Sequence, residues 1–450
     1  MSENKRLAVL NVVGLSRRDL RQMPFLKKWA EQRETRSFKP EFPAVTCTAQ
    51  STYVTGQDVS EHGIVGNGWY DREAAEVKFW KQSNHLVKGE KIWETLRKKR
   101  PGFRCAKWFW WYNMYSSADY SMTPRPMYPA DGRKVFDVYA HPLTLRDEVK
   151  KELGPFPFPS FWGPKADIKS SQWIADSAKW IEERERPDLN LVYLPHLDYG
   201  LQKWGPDAPE MKAEYEQLDS LLESFIGFLE ARNVEVVVLS EYGISPVSKP
   251  VHLNRLFRQQ GWLQIKDELG LETLDCGACQ VFAVADHQVA HIYVKDRSKI
   301  DEVRSLLEAT EGVAEVRENW QGEAARRGGD LVAVAEPGAW FTYYFWEDDE
   351  VAPDFARTID IHRKPGYDPV ELFIDPAIKV PLLKIGKFLI KKKLGFRGLM
   401  DVIPLDAGLV KGSHGRDEVP EDEQPVYIGS GAERVKVATD VHRELLNFFA

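Results

Sequence analysis

Carboxylates and imidazoles recur where apolar runs of this chain end. Asn11 and Gly14 close the run at 6–13, and His196 and Asp198 follow LNLVYLP at 189–195. Ser240-Glu241-Tyr242-Gly243 follows VEVVVLS at 234–240, and Ser413-His414-Gly415 comes late in the chain. Thr46-Cys47-Thr48 opens a segment that reads as a helix, where a hydroxyl lies near backbone N–H groups that favour anions. Carboxylates and imidazoles beside such a hydroxyl suit a metal site that deprotonates it for attack on phosphorus. Singly, each residue has an ordinary role open to it: Thr46 a helix cap, Glu241 a strand-end cap partner, Asp198 a turn residue, His414 an exposed loop residue. Their recurrence at successive strand ends gives the chemical reading its weight, because open α/β sheets bind ligands outside the carboxyl ends of their strands.

Those ends need strands and helices to position them. The run at 6–13 has the look of a strand buried on both faces. The pattern predicts helices around 22–34, 89–99, 168–185 and 207–232, with Pro187 as a stop signal after the third. It predicts strands at 104–111, 189–195 and 234–240, an alternation that argues for an α/β domain with a parallel sheet. Residues 276–350 differ: CQVFAVAD, QVAHIYV, GVAEVRE, DLVAVAEP and FTYYFW suggest short strands around one helix near 298–310. They read as an inserted α+β subdomain, leaving 1–275 and 351–450 as the main domain, with a last strand near 400–411 before Ser413.

Composition narrows the classes. The 450 residues carry a formal net charge of −7, which gives no electrostatic case for nucleic acid as the main partner. The 15 Trp, 16 Tyr and 22 Phe require a large core or an aromatic-walled pocket. Four cysteines fit a reducing compartment, so a cytoplasmic location is expected. Cys276-Gly-Ala-Cys279 is a lone pair with a zinc or redox reading, set against two small buried residues before a strand. The first residues read as a buried strand rather than a signal peptide, and no run of 18 apolar residues predicts a transmembrane helix. The segment KIGKFLIKKKLGFR at 384–397 carries six basic residues; it reads as a surface helix packed on its own domain or as one lying on an anionic membrane. Oligomeric state is left open.

The segment FPAVTCTAQSTYVTGQDVSEHGIVGNGWYD (42–71) resembles the alkaline phosphatase superfamily, in its nucleotide pyrophosphatase/phosphodiesterase and phosphonoacetate hydrolase branch. LPHLDYGLQKWGP (194–206), LSEYGI (239–244) and GSHG (412–415) extend the resemblance in family order. NMYSSAD (113–119) and DIHRKPGYDPVELF (360–373) are similar to a bacterial subgroup of alkaline phosphatase family proteins found in ebo-type gene clusters. The resemblance implies an alkaline phosphatase-like three-layer sandwich with a mostly parallel central sheet. It also implies two zinc ions or related divalent metals, and a small phosphorylated or phosphonate substrate.

Residue by residue, it places Thr46 on the nucleophile, Asp198 on the Asp of a D-x-x-G-H metal motif and His414 on a late metal-binding His. Other positions depart. The first-strand Asp falls on Val13, with Asn11 two residues earlier on the same face of a strand. The His of D-x-x-G-H is Gln202, and an Asp-His pair is Glu241-Tyr242. Zinc favours His nitrogen and carboxylate oxygen, so both sites are poorer, unless His196, His252 or His362 supplies a nitrogen. An oxygen-rich set of Asn11, Glu241, Asp198 and Thr46 suits Mg²⁺ or Mn²⁺ better. Asn67 falls near an asparagine that contacts a phosphoryl oxygen in related phosphodiesterases. Trp69, Tyr70 and Trp111, the last within the run 108–112, are candidates to hold a leaving group; for that run a buried strand is the other reading. Arg125, Arg363 and Lys364 stand as phosphate-binding cations or as ordinary ion-pair partners. The expected function is metal-dependent hydrolysis of a phosphodiester, pyrophosphate or phosphonate bond through Thr46. The alternative is a catalytically impaired scaffold that binds a phosphorylated metabolite or a protein.

Overall fold

A computed structural model describes residues 5–131, 133–318, 320–396 and 398–450. Its centre is an eight-stranded sheet. In chain order the strands are β1 (Leu7–Val12), β2 (Thr35–Ser37), β3 (Cys105–Trp108), β4 (Tyr120–Pro124), β5 (Val138–His141), β6 (Leu189–Leu194) and β7 (Glu235–Leu239). Four strands of a second sheet follow: β8 (Val281–Asp286), β9 (Val289–Val294), β10 (Val313–Arg317) and β11 (Leu331–Ala335). The chain then returns with β12 (Val426–Ile428). The central order is β2-β12-β7-β1-β6-β3-β4-β5. From β7 to β4 the strands are parallel, and β12, β2 and β5 add antiparallel edges.

Apolar residues alternate through β1 to two different layers. Ala8, Leu10 and Val12 join one core with Trp173, Ile174 and Ile181 of helix α2 (Ile168–Glu185). The same core takes Leu222 and Phe225 of helix α4 (Met211–Glu230), which follows the short helix α3 (His196–Trp204). Leu7 and Val9 point to the opposite core, with Ala49 and Tyr53 of helix α1 (Thr46–Thr55) and Val441 and Leu445 of the C-terminal helix Ala438–Phe449. Strands covered on both faces need continuous apolar runs, which is why β1, β6 and β7 were legible. The result is the expected three-layer α/β sandwich.

The second sheet has order β8-β9-β11-β10 and is antiparallel throughout, with helix α5 (Ile300–Glu308) against β10. Its core also recruits Tyr70, Phe79, Phe257 and Tyr367 from outside 276–350. Cys276 and Cys279 are free thiols whose burial pushes them up to about 12 and about 11, so the reactive thiolate is disfavoured.

Three expectations are corrected. No strand forms at 400–411, where Pro404 lacks a ladder N–H and Asp406 caps a 3₁₀ turn at Ala407–Leu409, accepting from Gly408 N at 2.9 Å. Only Gly412–Ser413 pairs, with Ser245–Pro246, and β12 takes the place in the sheet. The strand at 104–111 stops at Trp108, because Phe109 and Tyr112 adopt left-handed φ values of 60° and 53°. Of FTYYFW, only Phe341 belongs to a strand, Ala339–Phe341, and the rest packs irregularly in the second core. The segment 384–397 is helical over Pro381–Lys393, while Arg397 lies outside the described residues. Among the described residues, no helix is long and apolar enough to cross a membrane.

Leu222→Ala removes a fully buried side chain from the α4 seam. It should cost about 2–5 kcal/mol, read as a lower urea midpoint with an unchanged slope. Glu223→Ala, on the exposed side of the same turn, should stay within about 0.5 kcal/mol.

Candidate functional site

The parallel register places three of the predicted clusters side by side. Asn11 in β1 lies between Tyr193 of β6 and Leu239 of β7, so the chain leaving β6 and β7 emerges around it. Two glycines allow the close approach of the loops. A Cβ on Gly243 would fall 2.0 Å from the carbonyl oxygen of Glu423, and one on Gly412 2.1 Å from that of Leu201.

Glu241, two residues past β7, is completely buried. Asn11 Nδ2 donates to its Oε1 at 2.5 Å and Gln50 Nε2 donates to the same oxygen at 2.6 Å. Gln50 is itself oriented, since its Oε1 accepts the Trp111 backbone N–H at 2.7 Å. Burial pushes the Glu241 carboxyl up to about 8, against the opposing effect of Gln50, Asn11 and Thr46. Among the described residues, Glu241 Oε2 and Asn11 Oδ1 are buried oxygens without a hydrogen-bond partner.

Asp198 sits in the first turn of α3, and Gln202 four residues on lies on the same face. Gln202 Nε2 donates to Asp198 Oδ2 at 2.7 Å, and Tyr242 donates its hydroxyl to Asp198 Oδ1 at 3.2 Å. Burial pushes this carboxyl up to about 7. Tyr242 also meets Thr46 Oγ1 at 3.0 Å. A phenol has one proton; when Asp198 takes it, Thr46 must be the donor to the Tyr242 oxygen. With Asp198 ionised and the Thr46 proton on Tyr242 rather than on Glu241, the chain Thr46–Tyr242–Asp198 is polarised towards the carboxylate.

His414 Nδ1 lies 2.7 Å from the Ala44 carbonyl, which can only accept, so the proton is on Nδ1 and Nε2 is a buried acceptor without a partner. Desolvation lowers its pKa to about 3, keeping it neutral. Its ring stacks on Tyr242 at 3.5 Å.

The second sheet supplies residues the sequence reading missed. The two-residue turn between β8 and β9 puts His287 in the left-handed region and carries it against His414, at 3.7 Å between ring centres. His287 also stacks on Tyr367 at 3.7 Å, and the Tyr367 hydroxyl donates to Gln202 Oε1 at 3.0 Å. Asp286, before the turn, accepts from Asn67 N at 2.8 Å and Asn67 Nδ2 at 3.1 Å, while Asn67 Oδ1 accepts the Cys47 N–H at 3.0 Å. Asp-His-Gln at the tip of an apolar hairpin was the only signal available.

The structure thus brings together Thr46, Asn11, Glu241, Asp198, His414 and, beside Cys47, Asn67. The nitrogens proposed as replacements do not join them. His196 is turned onto Glu214 of α4, with 3.0 Å between Nε2 and Oε2. His252 bonds Thr342 and lines a separate surface cleft with Arg255 and Asp406, and His362 faces the Phe79 backbone. Lys364 is buried on Asp368 and Glu371 and Arg363 pairs with Asp354, so neither is a free cation. Tyr70 packs against Phe282 and Tyr293 in the second core, away from the cluster. Trp69 lies under Lys81 Nζ at 3.9 Å. Trp111 stacks on Trp80 at 4.8 Å, and Trp80 reaches Tyr367 at 6.0 Å, forming an aromatic wall beside the network.

A pair of zinc sites does not fit these residues. Among the described residues no three His, Cys, Asp or Glu side chains could hold one ion together, and both oxygens of Asp198 are engaged by Gln202 and Tyr242. One hard cation fits better: the unpartnered Asn11 Oδ1 and Glu241 Oε2 are oxygen donors, and Thr46 approaches the same carboxylate.

The model of the type I phosphodiesterase / nucleotide pyrophosphatase family matches residues 7–368. An uncharacterized pyrophosphatase/phosphodiesterase of Schizosaccharomyces pombe is 28% identical over 219 residues, covering 46% of this chain and 38% of that protein. The chain spans well under half the length of the curated relatives it matches. Phosphonoacetate hydrolase from Sinorhizobium meliloti, solved with phosphonoformate, has a TM-score of 0.60 at 14% identity, covering 99% of this chain and 96% of that one. Murine ectonucleotide pyrophosphatase/phosphodiesterase 5, in an inactive threonine-to-alanine form with AMP, has a TM-score of 0.56 at 15% identity, covering 99% and 95%. At these identities the structural likeness is one of fold.

Burial raises the Asp286 carboxyl from 3.8 to about 7, so the folded chain holds that proton more tightly than the unfolded chain. The stabilisation that this carboxyl contributes must fall as pH rises from about 4 to about 7, where the unfolded state has released the proton first. Over this window the urea midpoint of Asp286→Asn should gain relative to that of the wild type. The same pH dependence in both would contradict the assignment.

Proposed function

The chain belongs to the type I phosphodiesterase / nucleotide pyrophosphatase family, and on that premise we propose that it hydrolyses a phosphodiester, pyrophosphate or phosphonate bond in a small substrate, with Thr46 as nucleophile. The observation that carries the proposal is the hydrogen-bonded line Thr46–Tyr242–Asp198 at the first residue of α1. Thr46 Oγ attacks phosphorus, its proton passes to the Tyr242 oxygen, and the Tyr242 proton passes to Asp198. The bond from phosphorus to the leaving group breaks and leaves phosphothreonine. Water then cleaves the phosphorus–Oγ bond, and Thr46 regains its proton along the same line.

Asn11, Glu241 and Thr46 would hold a divalent ion, for which Mg²⁺ or Mn²⁺ suits the oxygen donors better than zinc. When bound it would offset charge on the transferring group and lower the pKa of the Thr46 hydroxyl. Gln50 and Asn11 hold Glu241 in place, Asn67 beside Cys47 is the candidate contact for a phosphoryl oxygen, and Trp111 with Trp80 walls the leaving group. In this reading residues 276–350 are an insertion whose hairpin tip completes the site of a main domain formed by 1–275 and 351–450.

A second reading is favoured by the stack Tyr242–His414–His287–Tyr367, whose members are at most 5% exposed. A closed site with Gln202 and Tyr242 at ligand positions fits a scaffold that binds a phosphorylated metabolite or protein without turnover.

Release of p-nitrophenol from its phosphate mono- and diesters, with Mg²⁺, Mn²⁺ or Zn²⁺ added to chelator-treated protein, separates the two. Thr46→Ala should abolish turnover, and Tyr242→Phe should lower kcat by about 10²–10⁴-fold if the relay moves a proton. Turnover that survives Thr46→Ala would overturn the nucleophile. Phosphate-ester binding by calorimetry with no turnover under any ion would favour the second reading.

A further inference from the structure

The helix α6 (Pro381–Lys393) has no buried residue, and its apolar side chains are turned the wrong way for a helix resting on its own domain. At about 100° per residue, Leu382, Leu383, Gly386, Leu389, Ile390 and Leu394 fall on one arc of roughly 140°. Leu382, Leu383, Leu389, Ile390 and Leu394 are 77, 70, 53, 63 and 69% exposed. Ile385, just outside this arc, packs on the second core, and Lys384, on the far side, reaches back to Asp401. The helix is therefore fastened by its narrow inner side and presents leucine and isoleucine to solvent, where a surface helix ordinarily presents charge. Phe396 and Leu399 just beyond it are also exposed, at 65 and 51%.

Charge follows the same outward face. Lys387 stands at one edge of the apolar arc and Lys393 within it, Lys391 and Lys392 lie further round, and all four are exposed. Between Asp375 and Asp401 there is no acidic residue, in a chain whose net charge is −7. An exposed apolar face that also carries lysines, on a helix without any acidic residue, matches the boundary between acyl chains and anionic headgroups. A second copy of the chain is a poorer complement, because it would set lysine against lysine. We propose that α6 docks the protein on an anionic lipid bilayer, lying in the interface with Leu382, Leu389 and Ile390 inserted. This reading is independent of the chemistry at Thr46.

The test is co-sedimentation of the full chain with vesicles of phosphatidylcholine alone and of equal phosphatidylcholine and phosphatidylglycerol. Affinity for the mixed vesicles should exceed that for phosphatidylcholine by about tenfold or more and should weaken with added salt. Lys387→Glu/Lys391→Glu/Lys392→Glu should remove that preference. Leu382→Ser/Leu389→Ser/Ile390→Ser should abolish binding to both. All six side chains are exposed, and unchanged circular dichroism would show the fold intact. Equal binding to the two vesicles, binding retained by both variants, or no vesicle binding with a dimer that the serine variant dissociates, would each overturn the proposal.

Discussion

Two carboxylates buried beyond the ends of the two parallel strands that flank β1 have to be stabilised, and the rest of the site is arranged around how this is done. Asp198 and Glu241 are met by neutral donors: Gln202 and Tyr242 on one, Asn11 and Gln50 on the other. Neutral donors compensate burial only in part, so both groups hold protons far more tightly than exposed carboxyls do. That has two consequences. A proton acceptor near neutral pH stands one phenol away from Thr46, and an unpartnered oxygen pair is left on Glu241 and Asn11. Gln202 and Tyr242, where the family resemblance would place His, serve here as hydrogen-bond donors to Asp198.

The second sheet is part of that network. Its hairpin tip inserts His287 between His414 and Tyr367 and hangs Asn67 on Asp286. Tyr367 in turn fixes Gln202, so one stack joins the loop after β11, the late His414 loop and α3. Any opening of the site must move this hairpin or its ring partners, which couples access at Thr46 to the packing of the second core.

Much of the central domain was legible in the sequence because its strands are buried on both faces and so read as unbroken apolar runs. Strand-end clusters then located Thr46, Asn11, Glu241, Asp198 and His414 in one place. What failed was decided by long-range contacts. A three-residue strand such as β12 carries no periodicity, and the fate of Trp108–Tyr112 depends on two left-handed residues that place its rings in different layers. His196 sits beside Asp198 in sequence, yet at the first turn of α3 its side chain is turned onto Glu214. Asp286 and His287 could not be foreseen, because a hairpin tip acquires its chemistry only from what it is pressed against.

The central claim is that these carboxylates are served by neutral donors with room for one oxygen-bound ion. Metal content of protein purified without chelator, combined with anomalous scattering at the carboxyl ends of β1, β6 and β7, tests it most directly. The account predicts at most one Mg²⁺ or Mn²⁺ per chain, at Asn11 and Glu241, and lost in Glu241→Gln. Two zinc ions per chain, one of them between Asp198 and His414, would contradict it.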